Sequence, residues 1–197
     1  MSTRNADGKE SGPLAEFVAL VESHSGPLFR YLLRMVGDRP LAEDLLQDTF
    51  AAAYAHRDHC REAGSARGWL FTVARNRAYN ALRDESRTLT SGDAVARQLA
   101  ELPATSPAPD AEVLRLELRA EILSALQQLS PARREAVTLR DIEGLSYADI
   151  AAITGSTEAT ARVRVHRARQ QLQHLLTPYL RDELGPPDSA RELEDAG

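Results

Sequence analysis

The stretch that decides the fold is Leu145-Ser-Tyr-Ala-Asp-Ile-Ala-Ala-Ile-Thr-Gly-Ser-Thr-Glu-Ala-Thr-Ala-Arg-Val-Arg-Val-His-Arg-Ala-Arg169, running on to Leu172. Ser146 and Asp149 stand in a capping-box arrangement, which opens a helix. That helix is short and ends at Gly155, and Ser156-Thr157-Glu158 opens a longer one. A short helix, a glycine-containing turn and a longer basic helix make a helix-turn-helix pattern. In the second helix Ala161, Val165, Ala168, Leu172 and Leu175 recur at helical spacing and should face a core. Arg162, His166 and Arg169 fall on another face, with Arg167 beside them. Guanidinium groups on such a face reach both phosphates and guanine edges in a major groove. The plainer reading is a solvated basic helix, and Arg164 has a second reading as an ion-pair partner of Asp149.

Upstream of this pattern, Ser130-Pro131 reads as a cap followed by a proline in the first helical turn, with the helix running to Glu143-Gly144. Before it, Val113, Leu116, Leu118, Ile122, Leu123, Leu126 and Leu129 supply the apolar stripe of a helix starting near Ala111. From Thr88 to Glu112 the periodicity fails, and Leu102 to Asp110 is linker by composition, with a short helix around 94–102 as a candidate inside the gap. Those 25 residues reach roughly 80 Å when extended.

An N-terminal helical block precedes the gap. Residues 13–36 read as helix, with Ser25-Gly26-Pro27 as a candidate break. Leu14, Phe17, Val18 and Val21 form one stripe, and Leu28, Tyr31, Leu32 and Met35 another. Asp38 can cap the next helix, with Pro40 in its first turn and an end near His56. Residues 57–64 read as a polar loop. A long helix follows from Ser65 to Arg87, its buried stripe supplied by Leu70, Ala74, Ala78, Ala81 and Leu82. No strand pattern occurs. The expected fold is therefore all-α: two small helical domains, 13–87 and 113–178, joined by a flexible linker at 88–112. A disordered segment at 1–12 and an acidic tail at 179–197 flank them.

Composition fits this reading. The chain has 197 residues, 43% hydrophobic and only 5% aromatic, a helix-forming balance. The net charge of −5 taken alone argues against nucleic acid, but charge is blocked along the chain. From Arg61 to Arg87 six arginines face Glu62, Asp84 and Glu85, and from Arg162 to Arg169 four arginines and a histidine face no acid. Local basic faces in an acidic protein still contact phosphates. The single cysteine, Cys60, excludes an internal disulfide, and its neighbours His56 and His59 do not make up a four-ligand metal site. No metal or cofactor is expected. Nor is an enzyme: there is no glycine-rich phosphate loop, metal spacing or nucleophile motif. No apolar run approaches a membrane span, so a cytoplasmic protein without membrane insertion is expected.

The stretch from Leu145 to Arg169 resembles region 4 of extracytoplasmic-function sigma factors, the promoter-specificity subunits of bacterial RNA polymerase. Where that family usually has Gly-Thr-Val near the start of the recognition helix, this chain has Ala159-Thr160-Ala161. Ala42-Glu-Asp-Leu-Leu-Gln-Asp-Thr-Phe50 and Gly68-Trp-Leu-Phe-Thr-Val-Ala-Arg-Asn-Arg77 resemble parts of region 2 of the same family. The order of the blocks matches, over roughly 17–176. The resemblance implies that Arg162, Val163, His166 and Arg167 read the −35 element, while Thr160, Arg164 and Arg169 hold phosphates or brace the fold. It implies that Asp44, Gln47 and Asp48 contact core polymerase on the clamp helices of the largest subunit, with the flap of the second subunit as a further contact.

Arg61, Arg67, Arg75, Arg77 and Arg83 suit the backbone of a melted −10 strand, and Asn76 and Asn80 its base edges. The family often has Asp where Asn80 stands. Trp69 reads either as core or as a stacking platform. By place in the loop, Asp58, His59 and Arg61 are candidates for holding a flipped base. An anti-sigma factor is a further implied partner. The acidic tail reads as solvated, or as a competitor of DNA for the last helix. A dimeric helix-turn-helix regulator acting without replacing a sigma subunit is the alternative, and it leaves the two upstream motifs unexplained.

Overall fold

The computed structural model describes residues 11–56, 66–89 and 110–184. The loop at 57–65, the linker stretch 90–109 with its candidate helix, and residues 1–10 and 185–197 lie outside the described residues. In chain order the helices are α1 (Ser11–Val36), α2 (Arg39–Ala55), α3 (Ala66–Leu89), α4 (Asp110–Gln127), α5 (Pro131–Val137), α6 (Tyr147–Thr154) and α7 (Glu158–Leu184). One π-helical turn, Thr138–Ile142, extends α5. Among the described residues there is no strand, and no helix is long and apolar enough to cross a membrane.

Local chemistry explains most helix ends. Asp38 is extended and accepts a hydrogen bond from the Leu41 amide at 2.7 Å, satisfying one of the first-turn donors that a helix leaves unpaired. Gly37 ends α1 at φ +77°, and a Cβ there would lie 2.8 Å from the Gln127 side chain, so both backbone and space call for glycine. α1 does not break at Pro27, which lies inside it. Proline removes one helical donor, but Leu28, Tyr31, Leu32 and Met35 immediately beyond it are fully buried, and their packing holds the helix through. α7 likewise continues past Pro178 to Leu184, so the expected tail begins as helix. Ser130 precedes Pro131 as expected but makes no side-chain cap.

α1, α2 and α3 pack on one another; α7 packs against both α5 and α6, and α6 also packs against α3. The buried line of α2 is Ala42, Leu45, Thr49 and Ala53, and Thr49 donates to the Leu45 carbonyl at 2.7 Å. Beside it Leu41, Leu46, Phe50 and Ala52 are only half-buried, and Val18 of α1 is 46% exposed. Phe71 is fully buried with its ring edge-on to Tyr31. Burial of each such side chain contributes about 1.5–3 kcal/mol.

The blocks then join. Leu139, Leu145, Ile150, Ile153 and Ala161 from the C-terminal half belong to the same apolar core as Leu28, Tyr31, Leu32, Met35, Leu70 and Phe71. A smaller core of Leu126, Leu129, Val137 and Ala168 lies within the C-terminal half, with Leu172 and Leu175 at its edge. Leu118 and Ile122, expected in the α4 stripe, are each 37% exposed.

The α2 cap gives a direct test. Asp38→Ala should lower unfolding free energy by about 1 kcal/mol, whereas Asp38→Asn, which keeps an acceptor, should lose only a few tenths. Urea denaturation followed by circular dichroism reads both.

Candidate nucleic-acid and polymerase interface

The helix-turn-helix is built from its own backbone outward. Ser146 Oγ accepts from the Asp149 amide at 3.1 Å, and Asp149 Oδ2 accepts from the Ser146 amide and hydroxyl at 3.3 and 2.6 Å. Asp149 is thus engaged within α6 rather than held for Arg164. Gly155 closes α6 in the left-handed region at φ +60°, with open space around it, so its backbone alone calls for glycine. Thr157 then accepts from the Thr160 amide at 3.1 Å and shares a hydroxyl hydrogen bond with Thr160 at 2.9 Å. Thr160 is therefore part of the start of α7.

Along α7, Ala161, Val165 and Ala168 are almost completely buried, while Arg162, Val163, His166 and Arg167 are exposed. Arg162 lies over the Tyr147 ring at 4.3 Å, and Arg140 lies 4.6 Å from the same ring. Arg162 also pairs with Glu158 at 3.2 Å. These contacts leave the guanidinium exposed while limiting its rotamers. Arg169 differs: its Nε and Nη2 donate to Asp141 at 2.8 and 2.5 Å, a bidentate pair that raises the guanidinium pKa through the Asp141 hydrogen bonds. Of the two roles implied for Arg169, this pairing is a brace. Arg164 is half-buried and near enough to Tyr79 of α3 for its charge to favour the phenolate.

On α2, Asp44 and Gln47 are exposed on one outer face, while Asp48 accepts from Arg77 of α3 at 3.1 Å. Asn76 is exposed, and Asn80 accepts from Arg83 at 3.1 Å. Trp69 is half-buried against the main core. Arg61, Asp58, His59 and Cys60 lie outside the described residues.

Arg67 and Arg75 both reach the C-terminal half. Arg67 donates to the Glu143 carbonyl at 2.6 Å, beside the Phe71 ring. Arg75 pairs with Glu135 at 2.8 Å and lies 4.6 Å from the Tyr79 ring. Glu135 is fully buried and also accepts from the Tyr31 and Tyr79 hydroxyls at 3.2 and 2.9 Å. Burial pushes the Glu135 carboxyl up, against the opposing pull of Arg75 and the hydroxyls, and burial likewise raises both tyrosines. Nothing local in the sequence singles out Glu135, Tyr31, Tyr79, Glu143 and Tyr147 as partners in these contacts. A charged residue beside Ala136 and Val137 was a signal only in hindsight of its neighbours, because its partners lie 56 and 104 residues away in the chain.

The profile for sigma-70 region 2 matches residues 20–88, and that for sigma-70 region 4 matches 119–172. The RNA polymerase sigma factor CarQ of Myxococcus xanthus is 38% identical over 161 residues, covering 81% of this chain and 88% of that protein. The ECF RNA polymerase sigma factor SigM of Bacillus subtilis is 33% identical, covering 83% of this chain and 97% of that protein. Among solved structures, the sigma factor RpoE in complex with the anti-sigma factor NepR, from Bartonella quintana, aligns with a TM-score of 0.65 at 32% identity, over 85% of this chain and 98% of that one. CnrH in complex with the cytosolic domain of CnrY aligns with a TM-score of 0.62 at 27% identity, over 85% of this chain and 92% of that one. With both regions present in order, on described residues that hold helices and no strand, the chain belongs to the extracytoplasmic-function sigma factors of the sigma-70 family.

Proposed function

We propose that this sigma factor divides promoter recognition between its two ends. The exposed face of Arg162, Val163, His166 and Arg167 on α7 carries the reading: it lies on a capped helix-turn-helix, and its inner face is buried, so it presents base-reading side chains without losing the fold. This face takes the −35 duplex in the major groove, Thr160 and Arg164 hold phosphates, and Arg169 braces the helix through Asp141. Tyr147 positions Arg162.

In the same reading, Asp44, Gln47 and Asp48 dock on the clamp helices of the largest polymerase subunit, and the C-terminal block meets the flap of the second subunit. Arg61, Arg67, Arg75, Arg77 and Arg83 follow the −10 strand, with Asn76 and Asn80 at its base edges. Residues 13–87 and 113–178 work as separate units joined by 88–112, since the two elements lie one to two duplex turns of about 34–36 Å apart. The protein works in the cytoplasm. The solved relative RpoE, in complex with the anti-sigma factor NepR, supports a partner of that class for this chain. The family acts by binding rather than by catalysis.

Run-off transcription with core polymerase and a library of double-stranded promoters tests the whole reading. Initiation should require the protein and fall at least tenfold in an Asp44→Ala, Gln47→Ala double variant. Tight duplex binding with no initiation would instead indicate a regulator.

On the promoter so obtained, Arg162→Ala and Arg167→Ala should each cost about 1–3 kcal/mol of discrimination against a scrambled −35 element. Tyr147→Leu should weaken cognate binding about two- to fivefold, the worth of an exposed cation–π contact, and Tyr147→Phe should restore it. Fluorescence anisotropy on cognate and scrambled duplexes separates positioning from a general loss of affinity.

A further inference from the structure

Two of the arginines assigned to the −10 strand are already occupied by the other half of the chain. Arg75 pairs with Glu135 of α5 at 2.8 Å, and Arg67 donates to the backbone carbonyl of Glu143 at 2.6 Å. The side chains that reach the Glu135 carboxylate, Tyr31, Arg75 and Tyr79, all come from α1 and α3. A carboxylate placed to stabilise α5 within its own block would find partners there. This one finds them across the junction, where it is fully buried.

Further contacts follow the same seam. Arg134, next to Glu135, donates to the Met35 carbonyl of α1 and to Gln127. Gln127 in turn donates to the Arg34 carbonyl at 2.8 Å, and Arg30 pairs with Glu143 at 3.4 Å. The −35 face has no such cover: Arg162, Val163, His166 and Arg167 are exposed in the same arrangement.

We propose that Glu135 is an internal latch. Its carboxylate stands in for a DNA phosphate at Arg75 while the Glu143 carbonyl does the same at Arg67, so the closed chain leaves its −35 face open and keeps its −10 strand site shut. The proposal rests on the reading of Arg67 and Arg75 as strand contacts. Opening exposes Glu135 and frees both arginines together, because one continuous segment, α5 with its π-helical turn and the Glu143 that caps it, carries both acceptors. Affinity for single strand in the free protein is then reduced by the fraction of molecules that are open. Polymerase, by holding the two halves apart, would remove that penalty.

The test uses the full chain with Cys60→Ser, dyes on cysteines at the exposed positions Ala51 and Gln173, and a labelled oligonucleotide with the non-template −10 sequence selected by run-off transcription. Glu135→Gln keeps the shape and removes the charge. It should lengthen the dye separation and raise oligonucleotide affinity roughly tenfold without polymerase. Tyr31→Phe, which removes one hydrogen bond to the carboxylate and leaves the ring in the core, should shift both in the same direction by a smaller factor, about threefold. Circular dichroism confirms that each variant remains helical.

An unchanged dye separation in both folded variants overturns the latch. A longer separation with unchanged oligonucleotide affinity overturns the claim that the closed state shuts the strand site. Run-off transcription with Arg67→Ala and Arg75→Ala tests the underlying reading separately. Full activity there removes the strand role of those arginines, whatever the dyes report.

Discussion

A buried carboxylate constrains everything around it. Removing an ion from water costs several kcal/mol unless charge and hydrogen bonds are returned, and Glu135 has no exposed surface. Arg75 returns the charge, and the Tyr31 and Tyr79 hydroxyls return the hydrogen bonds. Those three side chains come from two helices of the N-terminal block, so the position of α5 against α1 and α3 is set by directional contacts as well as by apolar burial. Apolar packing tolerates sliding far better than a carboxylate held at three points. Gln127 and Arg134 add backbone acceptors on α1 to the same alignment.

The distribution of arginines follows from what each finds nearby. Arg77 meets Asp48, Arg169 meets Asp141, and Arg75 meets Glu135. The exposed pairs, Arg77 with Asp48 and Arg169 with Asp141, are worth little to stability, but like the buried one they decide where a guanidinium points. Arg162 is held differently, by the Tyr147 ring and by Glu158 four residues earlier, which keeps it at the surface. Arg167 and His166 stay exposed beside it. An acidic protein thereby presents a localised basic face, and screening confines its field to roughly 8–10 Å at physiological salt. Net charge, averaged over the chain, carries no information about that face.

Much of this was determined by the sequence itself. Helix starts at Asp38 and Ser146, the stop at Gly155 and the buried line Ala161, Val165, Ala168 are all set by residues a few positions apart. Capping and periodicity are short-range effects, so they are legible without tertiary structure. The exposed face of α7 was legible for the same reason: once the buried line is known, the opposite face is too. Short-range rules failed at Pro27 and Pro178, which lie inside helices; beyond Pro27 the fully buried Leu28, Tyr31, Leu32 and Met35 hold the helix through. They also failed for Val18, Leu118 and Ile122, apolar residues on regular stripes that find no complete cover.

Only the tertiary structure decided which charges meet. Arg67 and Arg75 read from sequence as part of a basic run, and nothing nearby in the chain distinguishes them from Arg83. Their acceptors lie beyond the linker, on α5 and at the cap of its π-helical turn, and the shared core of Leu28, Phe71, Leu139 and Ile150 brings them together. Helical periodicity assigns a residue to a face, but it does not say which other helix covers that face. That choice depends on side-chain shape and buried charge summed over the whole junction, which no local stretch of residues contains.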